Sequence, residues 1–343
     1  MRLYQLGKLG GLTALQLKET EVPQPGTGQV VVRIRACSLN HRDLNIIGGK
    51  YSSVALKPGA IPLSDGAGEI SAVGPQVTRW KVGERVTPIF VQRWLGGNLL
   101  PEYMPSALGG PSDGVLAEHI VVNEEGLVRV PSHLSFEQAA TLPCAAVTAW
   151  NAALVKGVLQ PGHTVVTLGS GGVSLFTLQF ALLTGARVIA TTGSEEKIER
   201  LRALGAAAVV NYRAQPDWDA HVRELTGGRG ADLVVDVGGP GTLAKSIASI
   251  RYGGHVSVVG NLAGKATIDP GTLFAKRASL CGIQVGSRDM FEAMNRAIEV
   301  AKLEPVIDRV FDFTDARAAY EHLASGKHFG KVVIRVPDQM GSD

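Results

Sequence analysis

The sequence predicts a two-domain α/β protein, a mainly antiparallel β domain followed by a parallel sheet with helices on both faces. Three observations carry that prediction. A chain of 343 residues exceeds one ordinary hydrophobic core. Its first third consists of short Val- and Ile-rich runs separated by Gly and Pro. From about His163 onward, strand-like runs alternate with helix-length apolar segments, the pattern of βαβ units. Hydrophobic residues make up 45% and charged residues 19%, a balance that permits a packed core and argues against disorder.

In the first region, residues 29–37, 69–73 and 117–122 read as strands, and residues 92–113 read as a surface loop because Gly and Pro interrupt any period. The alternating region starts with a buried strand at 163–168 and a helix at 174–184. A strand at 187–192 and a helix at 195–204 follow, the helix closed by Gly205. A strand at 209–212 and a helix at 217–225 come next, and residues 231–237, 241–250 and 255–259 continue the alternation. Residues 280–285 extend the sheet, and the β-like run 331–336 is expected to return to the first domain. The expected boundaries are 1–128, 129–276 and 277–343.

Composition excludes several classes of function. Lys and Arg exceed acids by only 34 to 31, or +3, too little to imply nucleic acid or a membrane surface. Three cysteines at wide spacing, Cys37, Cys144 and Cys281, form neither a disulfide framework nor a four-cysteine metal site. No secretory signal is expected in residues 1–22, and no apolar run is long enough to span a bilayer. The expected compartment is the cytoplasm.

Between the first strand and first helix of the alternating region stands Gly169-Ser170-Gly171-Gly172-Val173-Ser174. Glycines there let the backbone turn tightly and approach a pyrophosphate, and the helix start offers N–H groups to it. Ser174 takes the third fingerprint position, where Gly or Ala is usual. An NAD site ordinarily places a carboxylate at the end of the second strand to hold the ribose hydroxyls. Here that strand ends Ala190-Thr191-Thr192-Gly193-Ser194, with no acid before Glu195. Thr192, Ser194 and Lys197 are then candidates to hold a 2′-phosphate, so NADPH is expected over NADH. The plainer alternative makes Ser194 a helix cap and residues 195–197 a solvated first turn.

With those residues in view, the chain resembles the medium-chain dehydrogenase/reductase superfamily nearly end to end. The resemblance rests on residues 36–43 (ACSLNHRD), 64–69 (SDGAGE) and 142–150 (LPCAAVTAW), together with the glycine turn, Asn211-Tyr212 and Gly330-Lys331-Val332-Val333. It implies a GroES-like β-barrel catalytic domain paired with a Rossmann cofactor domain, and an active site in the cleft between them. In the zinc alcohol dehydrogenases of this superfamily a Cys, a His and a second Cys hold catalytic zinc. The matching positions here are Asn40, Ser64 and Cys144, which leaves one soft ligand where three are ordinarily needed. No zinc is therefore expected. Asn40 and Asp43 instead resemble the Asn-x-x-Asp arrangement of the quinone oxidoreductase branch, in which Lys197 and Tyr212 match residues near the adenine ribose and Tyr51 matches a pocket tyrosine. A second pocket tyrosine of that branch is replaced by Asn45.

The resemblance makes Asn40, Tyr51 and Ser64 candidate donors to a developing oxyanion, and His41 or Tyr51 candidate proton carriers. Thr148 matches a position touching nicotinamide, and Lys331 one near the cofactor's phosphates or ribose. Backbone at Val237, Gly260, Asn261 and Val285 is expected to hold the nicotinamide, the side chains there needing no special chemistry. Against these roles stand bland ones: Asn40 as a loop-capping amide, Tyr51 as a packed aromatic, Cys144 as a small buried residue, Asp65 as the partner of a nearby cation, and Lys331 as a solvated strand-end lysine. The expected activity is hydride transfer between NADPH and a small carbonyl, enone or quinone. The alternatives are a zinc enzyme using Cys144 with Asp65 or His41, and an NADPH-binding protein without turnover. A homodimer joined through residues 280–285 is also implied.

Overall fold

The computed structural model describes residues 1–50, 56–260 and 267–337. Its contacts divide the chain into two units, Met1–Val147 with Gly286–Asp343, and Thr148–Val285. The expected boundaries stood at 128/129 and 276/277. The contact boundaries fall later because the apolar stretch after Ser135 is divided within the helix Val147–Trp150, and residues 277–285 stay with the second unit.

The first unit opens with seven strands: β1 (Arg2–Leu6), β2 (Leu15–Glu19), β3 (Gln29–Ser38), β4 (Asp65–Val73), β5 (Arg85–Pro88), β6 (His119–Asn123) and β7 (Leu127–Arg129). The second unit contributes β8 (Thr164–Leu168), β9 (Arg187–Thr192), β10 (Ala208–Asn211), β11 (Ala231–Asp236), β12 (Ile250–Val258) and β13 (Ser279–Gly282), and the chain returns to the first with β14 (Ile307–Asp312) and β15 (Lys331–Arg335).

In the first unit one sheet runs β14-β15-β3-β4-β5-β7, with β6 also pairing β3, and β1 and β2 form a ribbon. All pairings are antiparallel except β14 with β15. The long strand β3 alternates strictly only at its middle, because near its end both faces are covered and Ala36, Cys37 and Ser38 are all fully buried. Val30, Val32, Ile34, Leu63 and Tyr320 belong to the apolar cluster that this sheet covers. Residues 92–113 are not a plain surface loop. Trp94, Ala107 and Leu108 are buried, a 3-10 helix spans Pro101–Ser106, and Leu108 N–H donates to Phe90 at 3.0 Å. Three apolar side chains without a period supply anchors that a search for periodicity misses.

The second unit is a six-stranded, all-parallel sheet in the order β10-β9-β8-β11-β12-β13. Counted within the unit, this is 3-2-1-4-5-6, the doubly wound dinucleotide-binding order. Strand β12 begins five residues before the expected His255. Its register jumps from Ala231↔Ile250 to Leu233↔His255, with Gly253 at φ +72°. Because every strand is parallel, all six carboxyl ends lie on one edge of the sheet, and the order reverses between β8 and β11.

Candidate active site

The carboxyl edge of the second unit collects the expected cofactor residues. After β8, Gly169 takes φ +77° and its N–H donates to Thr191 O at 3.0 Å. Gly171 caps the helix Gly172–Leu183 with no side-chain bond, so the first-turn N–H groups of Gly172 and Val173 have no intrahelical partner. A Cβ added at Gly169 or Gly171 would meet nothing within 4 Å, which means open space above both backbones. That is the cradle a pyrophosphate requires. Ser170 is buried beside it. Ser174 has a definite use: its hydroxyl donates to Leu168 O at 2.6 Å and ties the helix to the strand.

At the end of β9, Thr192 is buried and its Oγ1 accepts Ser194 N–H at 3.2 Å. Tyr212 follows β10, and its hydroxyl oxygen lies 2.4 Å from where a Cβ on Gly193 would stand. A side chain at 193 would push the Tyr212 ring aside. Glu195, the first acid after β9, is held by Asn211 Nδ2 at 2.8 Å. Lys197 closes the 3-10 turn Glu195–Lys197.

Beyond β11 and β12, Val237 and Gly260 meet backbone to backbone, and a Cβ on Gly260 would lie 1.7 Å from Val237 O. Val285 has φ +32° and its carbonyl accepts Asn151 Nδ2–H at 2.8 Å. Thr148 is buried in the helix Val147–Trp150. Asn261 and Tyr51 lie outside the described residues.

Next to Val237, sequence reasoning passed over Asp236. Its carboxylate, fully buried, accepts Gly238 N–H and Gly239 N–H at 2.9 Å, Thr242 Oγ1–H at 2.6 Å and Ser246 Oγ–H at 2.6 Å. One residue thus ties β11 to the loop and helix that follow it. The spacing of Asp236, Thr242 and Ser246 was the available signal.

The first unit holds a second cluster around Lys331. Its ammonium, 3% exposed, donates to Leu39 O at 2.6 Å and to Asn40 Oδ1 at 2.7 Å, and lies 3.8 Å from Asp65 Oδ2. The expectation of a cofactor contact at Lys331 meets an ammonium already committed to buried protein acceptors. The solvated strand-end alternative fails for the same reason. Asp65 is fully buried and accepts Ser64 Oγ–H at 2.7 Å and Cys144 N–H at 3.2 Å. Ser64, expected among the oxyanion donors, directs its one proton into Asp65. Burial pushes the Asp65 carboxyl up, while Lys331, Asn40, Ser64 and Cys144 draw it back. Burial also pushes the Cys144 thiol up, so the thiolate is disfavoured.

Asn40 caps the helix His41–Ile47, and its backbone N–H donates to Asp43 Oδ2 at 2.7 Å. The Asn40 amide leans on Asp65 enough to lower that carboxyl, yet its Nδ2 is buried and makes no hydrogen bond of ordinary geometry among the described residues. His41 starts the helix with an exposed ring, and the packing it does have lowers its pKa and favours neutral imidazole.

Asp43 is 1% exposed, and burial raises its carboxyl to about 6 against the pull of Arg42 and the Asn40 N–H. The folded chain therefore holds this proton more tightly than the unfolded chain, whose carboxyl titrates near 3.8. This group's contribution to stability is full below about pH 4 and is lost as pH rises through about 6, a difference of about 3 kcal/mol. Asp43→Asn is expected to flatten that stretch of the stability curve. Urea unfolding between pH 4 and 7 measures it, and an unchanged slope would contradict the buried charge.

Comparison with known proteins extends these observations. Residues 26–132 match the family described as alcohol dehydrogenase GroES-like domain, and residues 172–300 match the zinc-binding dehydrogenase family. A zinc-type alcohol dehydrogenase-like protein of Schizosaccharomyces pombe is 41% identical over 337 residues, covering 96% of this chain and 97% of the relative. The quinone oxidoreductase of Homo sapiens is 28% identical, with 97% of each chain covered. The crystal structure of an NAD-dependent alcohol dehydrogenase superposes with a TM-score of 0.89 at 34% identity, over 98% of this chain and 100% of the other. Among the described residues no group of three or more His, Cys, Asp or Glu side chains is arranged to hold a metal, and no helix is long and apolar enough to cross a membrane.

Proposed function

Because the chain belongs to the medium-chain dehydrogenase/reductase superfamily, and is an oxidoreductase of that type using a nicotinamide cofactor, we propose that it reduces a small carbonyl, enone or quinone with NADPH and without zinc. One observation carries the zinc-free reading. Of the positions matching zinc ligands, Asn40 binds the Lys331 ammonium, Ser64 is bonded to Asp65, and only Cys144 is a soft donor. A fixed cation beside Asn40 and Asp65 opposes a second cation there. The residues present do not fit a catalytic zinc.

The carboxyl edge of the parallel sheet fits a dinucleotide. The turn at Gly169–Val173 would take the pyrophosphate on backbone N–H groups, with Ser170 beside it. Thr192, Ser194, Lys197 and Tyr212 would surround the adenine ribose and its 2′-phosphate, and the missing carboxylate at the end of β9 removes repulsion. Thr148 and backbone at Val237, Gly260, Asn261 and Val285 would line the nicotinamide. When bound, that ring supplies the hydride. Asn40 Nδ2 is the donor suited to a developing oxyanion, and His41 or Tyr51 the suited proton carrier. A homodimer would use the outer edge of β13, which has no partner strand among the described residues.

The relative named as zinc-type keeps one rival in play, an enzyme whose metal sits on Cys144 with Asp65 or His41. Both readings meet in one experiment: oxidation of NADPH and NADH against a panel of quinones, enones and aldehydes, with and without a zinc chelator, beside metal analysis of the protein. Chelator-resistant turnover that prefers NADPH is expected. Stoichiometric zinc whose removal abolishes turnover would overturn the proposal, and cofactor binding without turnover on any substrate would leave only a binding protein. Ser194→Asp places a carboxylate against the 2′-phosphate and is expected to shift the NADPH-to-NADH ratio of kcat/KM about tenfold or more toward NADH. A ratio unchanged by the substitution would place the phosphate elsewhere.

A further inference from the structure

We propose that Lys331 is a positioning residue that fixes which end of the Asn40 amide is left to act as a donor. This rests on the reading of Asn40 as an oxyanion donor. An asparagine amide has two nearly isosteric ends, one accepting and one donating, and a half-turn of the side chain exchanges them. An ammonium carries three donors and no acceptor, so it tolerates only Oδ1 beside it. Lys331 Nζ sits 2.7 Å from Asn40 Oδ1, which makes Nδ2 the donating end, drawn toward the Asp65 carboxyl yet without a hydrogen bond of ordinary geometry. Buried polar groups are nearly always satisfied, and one that is not calls for a missing partner. A substrate oxygen that gathers negative charge is the acceptor this N–H suits best.

The arrangement is built from three directions. Strand β15 pairs with β3 through Val333↔Ser38, and the Leu39 N–H to Val332 O bond of 3.0 Å carries the same register forward, setting Lys331 opposite Asn40. The backbone of Asn40 is held at both ends by Asp43, through Asn40 N–H to Oδ2 at 2.7 Å and Asp43 N–H to Asn40 O at 3.0 Å. Lys331 is in turn kept from swinging by Leu39 O at 2.6 Å and by the Asp65 charge at 3.8 Å. Asp43 thus holds the Asn40 backbone and, through the capping box, also faces its side chain, where Lys331 adds the closer bond to Oδ1.

The test is a double-mutant cycle on the purified enzyme, with NADPH as reductant and a quinone or enone that the unmodified chain turns over. Asn40→Ala is expected to lower kcat about 100-fold. Lys331→Met is expected to lower kcat at least about tenfold with the KM for NADPH unchanged, and to add nothing in the Asn40→Ala background. A Lys331→Met chain leaves Asp65 unpaired and is expected to lose stability. The double variant Lys331→Met with Asp65→Asn removes both charges, regains stability, and is expected to keep the low kcat. Multiplicative losses in the cycle would overturn the proposal, as would recovery of kcat together with stability. An effect confined to the KM for NADPH would also overturn it and return Lys331 to a cofactor contact. If the unmodified chain turns over nothing, or only with zinc, the functional reading fails before the cycle begins.

Discussion

Asp236→Ala is expected to cost about 4–6 kcal/mol and to lower the unfolding midpoint of the second unit by about 10–20 °C. The carboxylate accepts four donors from Gly238, Gly239, Thr242 and Ser246 in full burial, and alanine strips all four of this acceptor, leaving only the Thr242 hydroxyl an alternative, Gly239 O at 3.2 Å. Each bond to a charged acceptor is worth about 1.5–3 kcal/mol, and the total falls below their sum because they share one anchor. Loss of the anchor also frees the loop after β11, where Val237 meets Gly260. Cofactor affinity should therefore drop with stability. Differential scanning fluorimetry with and without NADPH measures both. A midpoint within 2 °C of the unmodified chain, roughly 1 kcal/mol or less, would show that the network does not hold this edge.

The second large effect separates two glycines of the same unit that look alike in sequence. Gly260→Ala would drive a Cβ to 1.7 Å from Val237 O and 2.3 Å from Val237 C, both backbone atoms. Neither can turn aside, so the carboxyl ends of β11 and β12 must separate, at the cost of the Gly260 N–H to Asp236 O bond of 3.1 Å. Failure to accumulate as soluble protein is the expected result. Gly171→Ala meets nothing within 4 Å. Gly171 has φ −80°, which alanine adopts freely, so its cost to folding should stay near 1 kcal/mol, that of a poorer helix cap. On the proposed cofactor site the new methyl enters the space a pyrophosphate would occupy, and the Kd for NADPH should rise about tenfold or more. A Gly171→Ala chain that binds NADPH normally would remove the glycine turn from the site. A Gly260→Ala chain as stable as the parent would deny the contact with Val237.

Much of the fold was legible because βαβ units are locally encoded. Buried parallel strands such as Thr164–Leu168 and Arg187–Thr192 are short runs rich in β-branched residues, and the helices between them close on glycine, as at Gly205. Boundaries came within a residue or two at β8, β9, β10 and β11, whereas β4 and β12 begin four and five residues earlier than expected, at Asp65 and Ile250. Residues 92–113 misled because their anchors, Trp94, Ala107 and Leu108, have no period and pack only once the sheet exists. The expected extension over 280–285 shortened to Ser279–Gly282, since Val285 at φ +32° has left the strand geometry.

The candidate site divides along the same line. The glycine turn, the missing carboxylate after β9 and the Asn40–Asp43 pair each lie within a few residues of sequence, and the local chain dictates their backbone geometry. Lys331 and Asn40 stand 291 positions apart and meet only because β15 returns to pair with β3. The resemblance placed Lys331 near the cofactor's phosphates or ribose, with a solvated strand end as the plain alternative, and tertiary packing buries its ammonium against Leu39 O and Asn40 Oδ1. A buried ammonium must find acceptors, the carboxylate it balances must find donors, and only the assembled sheet decides which groups are within reach.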